Sequence, residues 1–224
     1  MLPRTLEPEV MDTPDEAIDY DAMDHSAVNC CFVDDLLAFL SEGTAAEPMK
    51  TLDVGTGTAL IPIELCRRPI DVRVTAVDLA AHMLQLGQRN VIRAGLQRVI
   101  KLEQIDAKSL PFADGEFDAV ISNSIIHHIP EPIHCLKEMV RVLRPAGKLF
   151  VGDLLRPTDD DAVLHLVATY AGDANLHQRQ MFHNSLHAAL TLDEVRALLR
   201  ELQLPPEWVA QTTDRHWTLR GIKV

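Results

Sequence analysis

Apolar and polar positions along the chain change period repeatedly, and the order of those changes predicts the elements. Short runs of strand length, rich in apolar and β-branched residues, lie at 50–54, 72–77, 99–105, 117–122 and 148–151. Between them run longer stretches with helical spacing. One spans 58–68 and stops before Pro69, a second spans 80–94 and is closed by Gly95, and a third spans 133–143 and is stopped by Arg144-Pro145. Strands alternating with helices at this spacing predict βαβ units. The expected class is therefore α/β, a parallel sheet with helices on both faces.

Two regions lie outside the alternation. The first holds one predicted helix, Ser26–Leu40, behind an acidic leader in which Asp24 or Ser26 is a candidate N-cap. The second, residues 156–204, is mainly helical and includes a capping box with Thr191 as N-cap and Glu194 three residues on. The doublet Asp34-Asp35 and the triplet Asp159–Asp161 read as solvated helix starts. Beyond these, 208–211 and 216–222 return to strand-like patterning.

Composition narrows the classes. The 224 residues carry 21 Lys+Arg against 33 Asp+Glu, a formal charge of −12. That balance argues against a nucleic-acid partner, which calls for phosphate-neutralising basic patches. Cys30, Cys31, Cys66 and Cys135 form no CxxC spacing and read as reduced, buried thiols. No apolar run reaches the length of a membrane span, and the acidic, Pro-containing N-terminus is unlike a targeting signal. A cytoplasmic protein is expected.

The strongest chemical signal is Leu52-Asp53-Val54-Gly55-Thr56-Gly57-Thr58-Ala59, at the first strand-to-helix turn. Gly55 permits a sharp turn, and Gly57 lets backbone approach a ligand with no Cβ in the way. Asp78 ends the next strand, 21 residues after Gly57, where a carboxylate is placed to accept from ribose hydroxyls. Asp106-Ala107 follows the third strand, where an adenine edge would lie. A dinucleotide site is the competing reading. Asp53, however, would set a carboxylate near a pyrophosphate, whereas it suits a sulfonium or ammonium cation.

With these motifs, the stretch IDAKSLPFADGEFDAVISNSIIHHIPEP and the segment LKEMVRVLRPAGKLFVGD, the chain resembles the class I S-adenosylmethionine-dependent methyltransferases over residues 50–153. It looks most like their ubiquinone/menaquinone-type small-molecule subgroup. The resemblance implies a Rossmann-like sheet of seven mostly parallel strands with an antiparallel last strand. It also implies one domain, with residues 1–49 as a lid segment, 50–153 as the cofactor-binding core, 154–204 as a helical cap and 205–224 as C-terminal strands. Asp53 would orient the glycine loop and reach toward the methionine amine, Gly55 and Gly57 would make room for the methionine portion, and Asp78 would hold the ribose. Leu79 and Met83 would flank the adenine, with core packing an equal role for Met83. Asp106 and the Ala107 N–H would bind the adenine edge, and the Asn123 carbonyl would meet the ammonium. The family's usual glycine is replaced here by Ala59, which would tighten helix–strand packing or weaken cofactor affinity.

The implied reaction is methyl transfer to a small-molecule acceptor, with S-adenosylhomocysteine as second product and no metal. A homodimer is compatible with it. A catalytically silent cofactor-binding sensor or partner subunit is the alternative, and an occluded pocket would favour it. Ser124, His127 and His128 follow the fourth strand, where the acceptor should sit. A histidine titrating near neutral pH would suit a general base, with His128 favoured over His127 and packing against the sheet as the competing role. Tyr20 and His25 in the leader would close the pocket. His183 and His187 share a helix face and have His165 and His177 nearby, but no HExxH or matching carboxylate spacing makes them a metal site. The cysteines do not match the arsenic-methylating pattern.

Overall fold

The computed structural model describes residues 2–10, 12–40 and 47–224. Among the described residues, one sheet is built from β1 (Met49–Val54), β2 (Val72–Asp78), β3 (Ile100–Gln104), β4 (Phe117–Asn123), β5 (Leu143–Leu154), β6 (Val209–Gln211) and β7 (His216–Ile222). The strand order is β3-β2-β1-β4-β5-β7-β6. The first five strands run parallel, and β7 runs antiparallel to β5 and to β6. The chain leaves β1 toward β2 and β3 and later crosses to β4 on the other side. That reversal opens a crevice beyond the carboxyl ends of β1 and β4.

The strand alternation sorts side chains to two faces. Leu52, Val54, Val77, Val120, Leu149 and Val151 pack with Cys135, Leu136 and Met139 of α5 (Pro132–Val142) and with Val195 and Leu199 of α8 (Leu192–Glu201). On the other face Val74, Ala76, Ala119, Ile121 and Phe150 meet Phe32, Val33 and Leu36 of α2 (Ser26–Leu40). That layer is completed by Ile61 and Ile63 of α3 (Leu60–Cys66) and Val91 of α4 (Ala81–Ala94). The alternating pattern is thus an α/β fold with helices on both faces.

The segments outside the alternation divide in two. Helices α2 and α8 join the layers that cover the sheet, whereas α6 (Asp160–Tyr170) and α7 (Leu176–Ala188) form a separate apolar cluster around Leu154, Val163, Leu166 and Leu186. Asp159 caps α6 by accepting from the Ala162 N–H at 2.9 Å, and the Thr191–Glu194 capping box of α8 is present.

Several expectations need correction. The acidic leader contains a helix, α1 (Pro14–Ala22), started by a Thr13–Glu16 capping box with Pro14 in the first turn. These start signals are local and legible; the weak apolar pattern behind them concealed the helix. Asp34 and Asp35 lie within α2 rather than at its start, and Asp34 pairs with Arg68 at 3.1 Å. Only Cys135 is buried, while Cys31 is exposed and Cys30 and Cys66 are half-buried. Strand β5 begins at Leu143, with a register shift opposite Phe117–Ala119. No helix among the described residues is long and apolar enough to cross a membrane.

Candidate cofactor and acceptor cleft

Beyond the carboxyl ends of β1, β2 and β4 lies a cleft of about 770 Å³, counting the part open to solvent. Its floor is the turn from β1 into α3. The N–H groups of Gly55 and Thr56 both donate to the Val77 carbonyl, at 2.8 and 3.0 Å, which ties the turn to β2. Gly55 has φ +73°, and a Cβ there would stand 2.5 Å from Ile125, so only glycine fits. Gly57, at φ +54°, faces the open cleft, where a Cβ would meet only the Tyr20 ring, at 3.7 Å.

Ala59 takes the left-handed region too, at φ 64°, so α3 starts at Leu60 rather than at Thr58. Its methyl is accommodated by α4: a Cβ on Gly87 would lie 3.3 Å from the Ala59 Cβ. The alanine in place of the family's glycine is therefore matched by a glycine on the helix it faces.

Asp78 lines the cleft and is held by backbone. It accepts from the Gly57 N–H at 2.7 Å and the Ala80 N–H at 2.9 Å, one on each oxygen. Burial raises its pKa, against the pull of these N–H groups. Each oxygen keeps a free lone pair for a hydroxyl donor. Asp53 lies behind the loop, buried, with Oδ2 unpartnered. Burial, with the Asp78 charge adding to it, pushes its carboxyl up to about 7. A buried acceptor without a donor is what a site made for a cationic ligand would show.

Leu79, Met83, Asp106, Ala107, Asn123, Ser124 and His128 also line the cleft. Asp106 accepts from the Lys108 ammonium and the Lys108 N–H, both at 2.9 Å. Ser124 adopts φ 60° and donates its N–H to the Gly152 carbonyl at 2.9 Å, turning the chain out of β4 toward the histidines.

His127 and His128 do different things. His127 is buried, and its Nδ1 lies 2.5 Å from Asp153 on β5. Burial opposes a charge on this imidazole, but Asp153 outweighs it and holds the pKa above the usual range. The Asp153 carboxyl is correspondingly held low, against its burial, by His127. His128 stacks on His127, with ring centroids 4.2 Å apart, and faces the cleft. Its pKa falls to about 3, from burial first and the neighbouring His127 charge second. The expected titration near neutrality is corrected accordingly: His128 stays neutral across the physiological range.

The front wall comes from the N-terminal segment. Glu9, Val10 and Tyr20 line the cleft, and Tyr20 stacks on His25 with centroids 4.6 Å apart. Burial and the Asp78 and Asp53 charges push the Tyr20 hydroxyl up to about 12. Asp12 accepts from the His82 N–H at 2.8 Å, capping α4, whose own N-cap Ala80 has no side-chain acceptor. Glu9 pairs with Lys108. Arg4 anchors the strand of chain before α1 by donating to the carbonyls of His127, Ile129 and Ala188 at 2.8–3.0 Å. Sequence reasoning did not find Arg4, Glu7, Glu9, Asp12, Lys108 or Asp153. Each is singled out by a partner distant in sequence, and no local spacing marks it.

The helical cap does not gather its histidines. His183 and His187 stack with centroids 4.7 Å apart, but His177 turns to Asp19 of α1 at 2.5 Å.

The comparisons with known proteins agree with this geometry. Residues 52–151 match the family described as "Methyltransferase domain". The chain is 31% identical over 173 residues to the 27-O-demethylrifamycin SV methyltransferase of Amycolatopsis mediterranei, covering 75% of this chain and 60% of that one. It is 35% identical over 185 residues to the malonyl-(acyl-carrier protein) O-methyltransferase of Geobacter sulfurreducens, covering 82% and 64%. The match thus spans less than two thirds of the length of either relative. A solved structure of a methyltransferase from Aquifex aeolicus superposes with TM-score 0.66 at 19% identity, covering 95% of this chain and 99% of that one, and so shares the fold. With the glycine turn, the carboxylate ending β2 and the reversed last strand in place, residues 52–151 carry a methyltransferase domain of the class I S-adenosylmethionine-dependent type, and the chain around it shares the fold of a solved methyltransferase.

Proposed function

We propose that this chain transfers a methyl group from S-adenosylmethionine to a small-molecule acceptor and releases S-adenosylhomocysteine. The observation that carries this reading is the continuity of the cleft. The glycine turn and Asp78 at one end share a single space with Ser124 and His128 at the other. A silent binding protein would need only the first end.

S-adenosylmethionine, when bound, supplies the electrophilic methyl on a sulfonium. Asp78 would take the ribose hydroxyls, and Asp106 and the Ala107 N–H the adenine edge between Leu79 and Met83. Asp53, whose carboxylate becomes favourable beside a cation, and the Asn123 carbonyl would serve the methionine end. Tyr20, with His25 stacked behind it, would shield that end from water and so strengthen the electrostatic contacts inside. In-line displacement needs the acceptor atom held about 3 Å from the methyl in a dry pocket, and the thioether leaves without a proton. His128, neutral and facing the cleft, would position the acceptor or receive its proton.

The chain's net charge and the small acceptor in one relative's name, 27-O-demethylrifamycin SV, support a small molecule over a nucleic acid. A cytoplasmic site of action, with or without a second copy of the chain, fits the same reading. Calorimetric titration with S-adenosylmethionine, S-adenosylhomocysteine and NADH tests it. Micromolar binding of the first two and none of the third is expected. In an acceptor screen that follows S-adenosylhomocysteine release, His128→Asn should lower turnover at least tenfold with cofactor affinity nearly unchanged. Folded protein that binds neither sulfur nucleoside would overturn the reading.

A further inference from the structure

At the acceptor end the N-terminal strap before α1, the turn after β4 and strand β5 meet in a cluster of which the proposed methyl transfer uses only His128. Glu7 Oε1 stands 3.5 Å from His127 Nε2 and 3.2 Å from His128 Nδ1. The three ligand atoms lie within 4.8 Å of one another. Glu7 and both histidine side chains are largely removed from solvent.

Hydrogen bonding does not account for this arrangement. A nitrogen and a carboxylate joined by a charge-assisted bond approach to about 2.7–2.9 Å, as His127 Nδ1 and Asp153 more than satisfy on the other side of the ring. The Glu7 contacts are longer, and His128 Nδ1 has no hydrogen-bond partner despite the nearby oxygen.

Coordination accounts for both Glu7 contacts. Around a tetrahedral ion at about 2.0–2.1 Å, neighbouring ligand atoms stand about 3.3–3.4 Å apart. The two Glu7 distances bracket that edge. Each nitrogen lone pair then points at the ion, about 35° off the line to the next ligand, which is why the oxygen is close but misaligned for a hydrogen bond. Asp153 holds the proton of His127 on Nδ1 and turns Nε2 inward, the arrangement in which a carboxylate orients a metal-bound histidine. Ser185 donates to Glu7 Oε1 at 3.1 Å and helps hold the carboxylate in place.

We propose that Glu7, His127 and His128 form a binding site for a divalent transition-metal ion of the zinc class. Three protein ligands leave a fourth position open, and because His128 also lines the cleft, that position is available to an acceptor oxygen. This last clause rests on the methyl-transfer reading; the metal site does not.

Co²⁺ is the probe, because its visible absorption reports coordination by four or five ligands without any turnover. Chelator-treated parent protein should bind one equivalent, develop the intense bands of a low-coordinate ion and lose them to Zn²⁺. Glu7→Gln and His128→Gln should each weaken binding at least tenfold, while His134→Ala, at an exposed histidine paired with Glu131, should not change it. Retained S-adenosylhomocysteine binding by Glu7→Gln shows that the variant is folded. Absence of saturable Co²⁺ bands in the parent, or equal binding by folded Glu7→Gln, overturns the site. Co²⁺ binding without sulfur-nucleoside binding would instead retain the site and remove the methyl-transfer reading.

Discussion

The two ends of the cleft are built by different means. At the cofactor end the turn between β1 and α3 is held by backbone, with Gly55, Thr56 and Gly57 tied to Val77 and Asp78 on the neighbouring strand. At the acceptor end the work is done by side chains that converge from far apart: Glu7 and Arg4 from the strap, His127 and His128 after β4, Asp153 from β5 and Ser185 from α7. A backbone-built end is set by where glycines and strand ends fall. An end built from side chains depends on the sheet, the cap and the strap all being in place.

The contrast predicts how each end breaks. The largest effect should come from Asp78→Ala, which removes the ribose acceptor and leaves the Gly57 and Ala80 N–H groups unpaired. Affinity for S-adenosylhomocysteine should fall at least 100-fold, at roughly 1.5–3 kcal/mol per charge-assisted bond, and calorimetry within twofold of the parent would displace the ribose from this carboxylate.

Within the turn, Gly55→Ala and Gly57→Ala separate strain from ligand approach. The first adds a left-handed alanine and an overlap with Ile125, about 2–4 kcal/mol of stability in urea denaturation. The second adds only the backbone cost, about 1–2 kcal/mol, and should show its main effect as weaker cofactor binding. Equal stabilities for the two would contradict the packing against Ile125.

Asp53→Asn tests the buried carboxylate. Its folded pKa of about 7 lies above the ordinary value, so the folded chain keeps a proton that the unfolded chain gives up. The favourable contribution is full below about pH 4 and is lost as pH rises through about 7. The variant lacks this loss, and its unfolding free energy should gain on the parent's between those limits by a difference on the order of 2–4 kcal/mol. A cationic ligand favours the carboxylate, so cofactor binding to the parent should tighten as pH rises through about 7 while the variant stays flat. Parallel pH profiles of stability would refute the assignment.

The smallest effect should follow Arg4→Ala at the other end. Loss of the carbonyl contacts should cost about 1–2 kcal/mol in thermal unfolding. Turnover should fall several-fold while cofactor affinity stays within about threefold, because the backbone-built end does not need the strap's anchor. A larger loss of cofactor binding than of turnover would erase the distinction between the ends.

The sequence alone determined what depends on neighbours a few residues apart. Strand and helix alternation, the helix Ser26–Leu40, the Thr191–Glu194 box, the glycine turn and the carboxylate ending β2 all follow from local steric and hydrogen-bonding rules. The helix at Pro14–Ala22 was legible in its Thr13–Glu16 box, but its apolar stripe is too weak to stand out. Ala59 was seen as a departure, and only packing showed that Gly87 makes room for it.

Tertiary structure decided the rest. His127 and His128 are adjacent in sequence and alike in chemistry. One lies against Asp153 with its pKa raised, and the other faces the cleft with its pKa lowered to about 3. Nothing in the dipeptide distinguishes them; their turn after β4 and the strand beneath it do. Glu7 is an ordinary acidic residue of a Pro-flanked leader until the N-terminal strap lies against the turn after β4 and sets it beside both rings. Local order is written in steric preferences that each residue carries with it. The acceptor end is written in burial and long-range electrostatics, which exist only once the chain has folded.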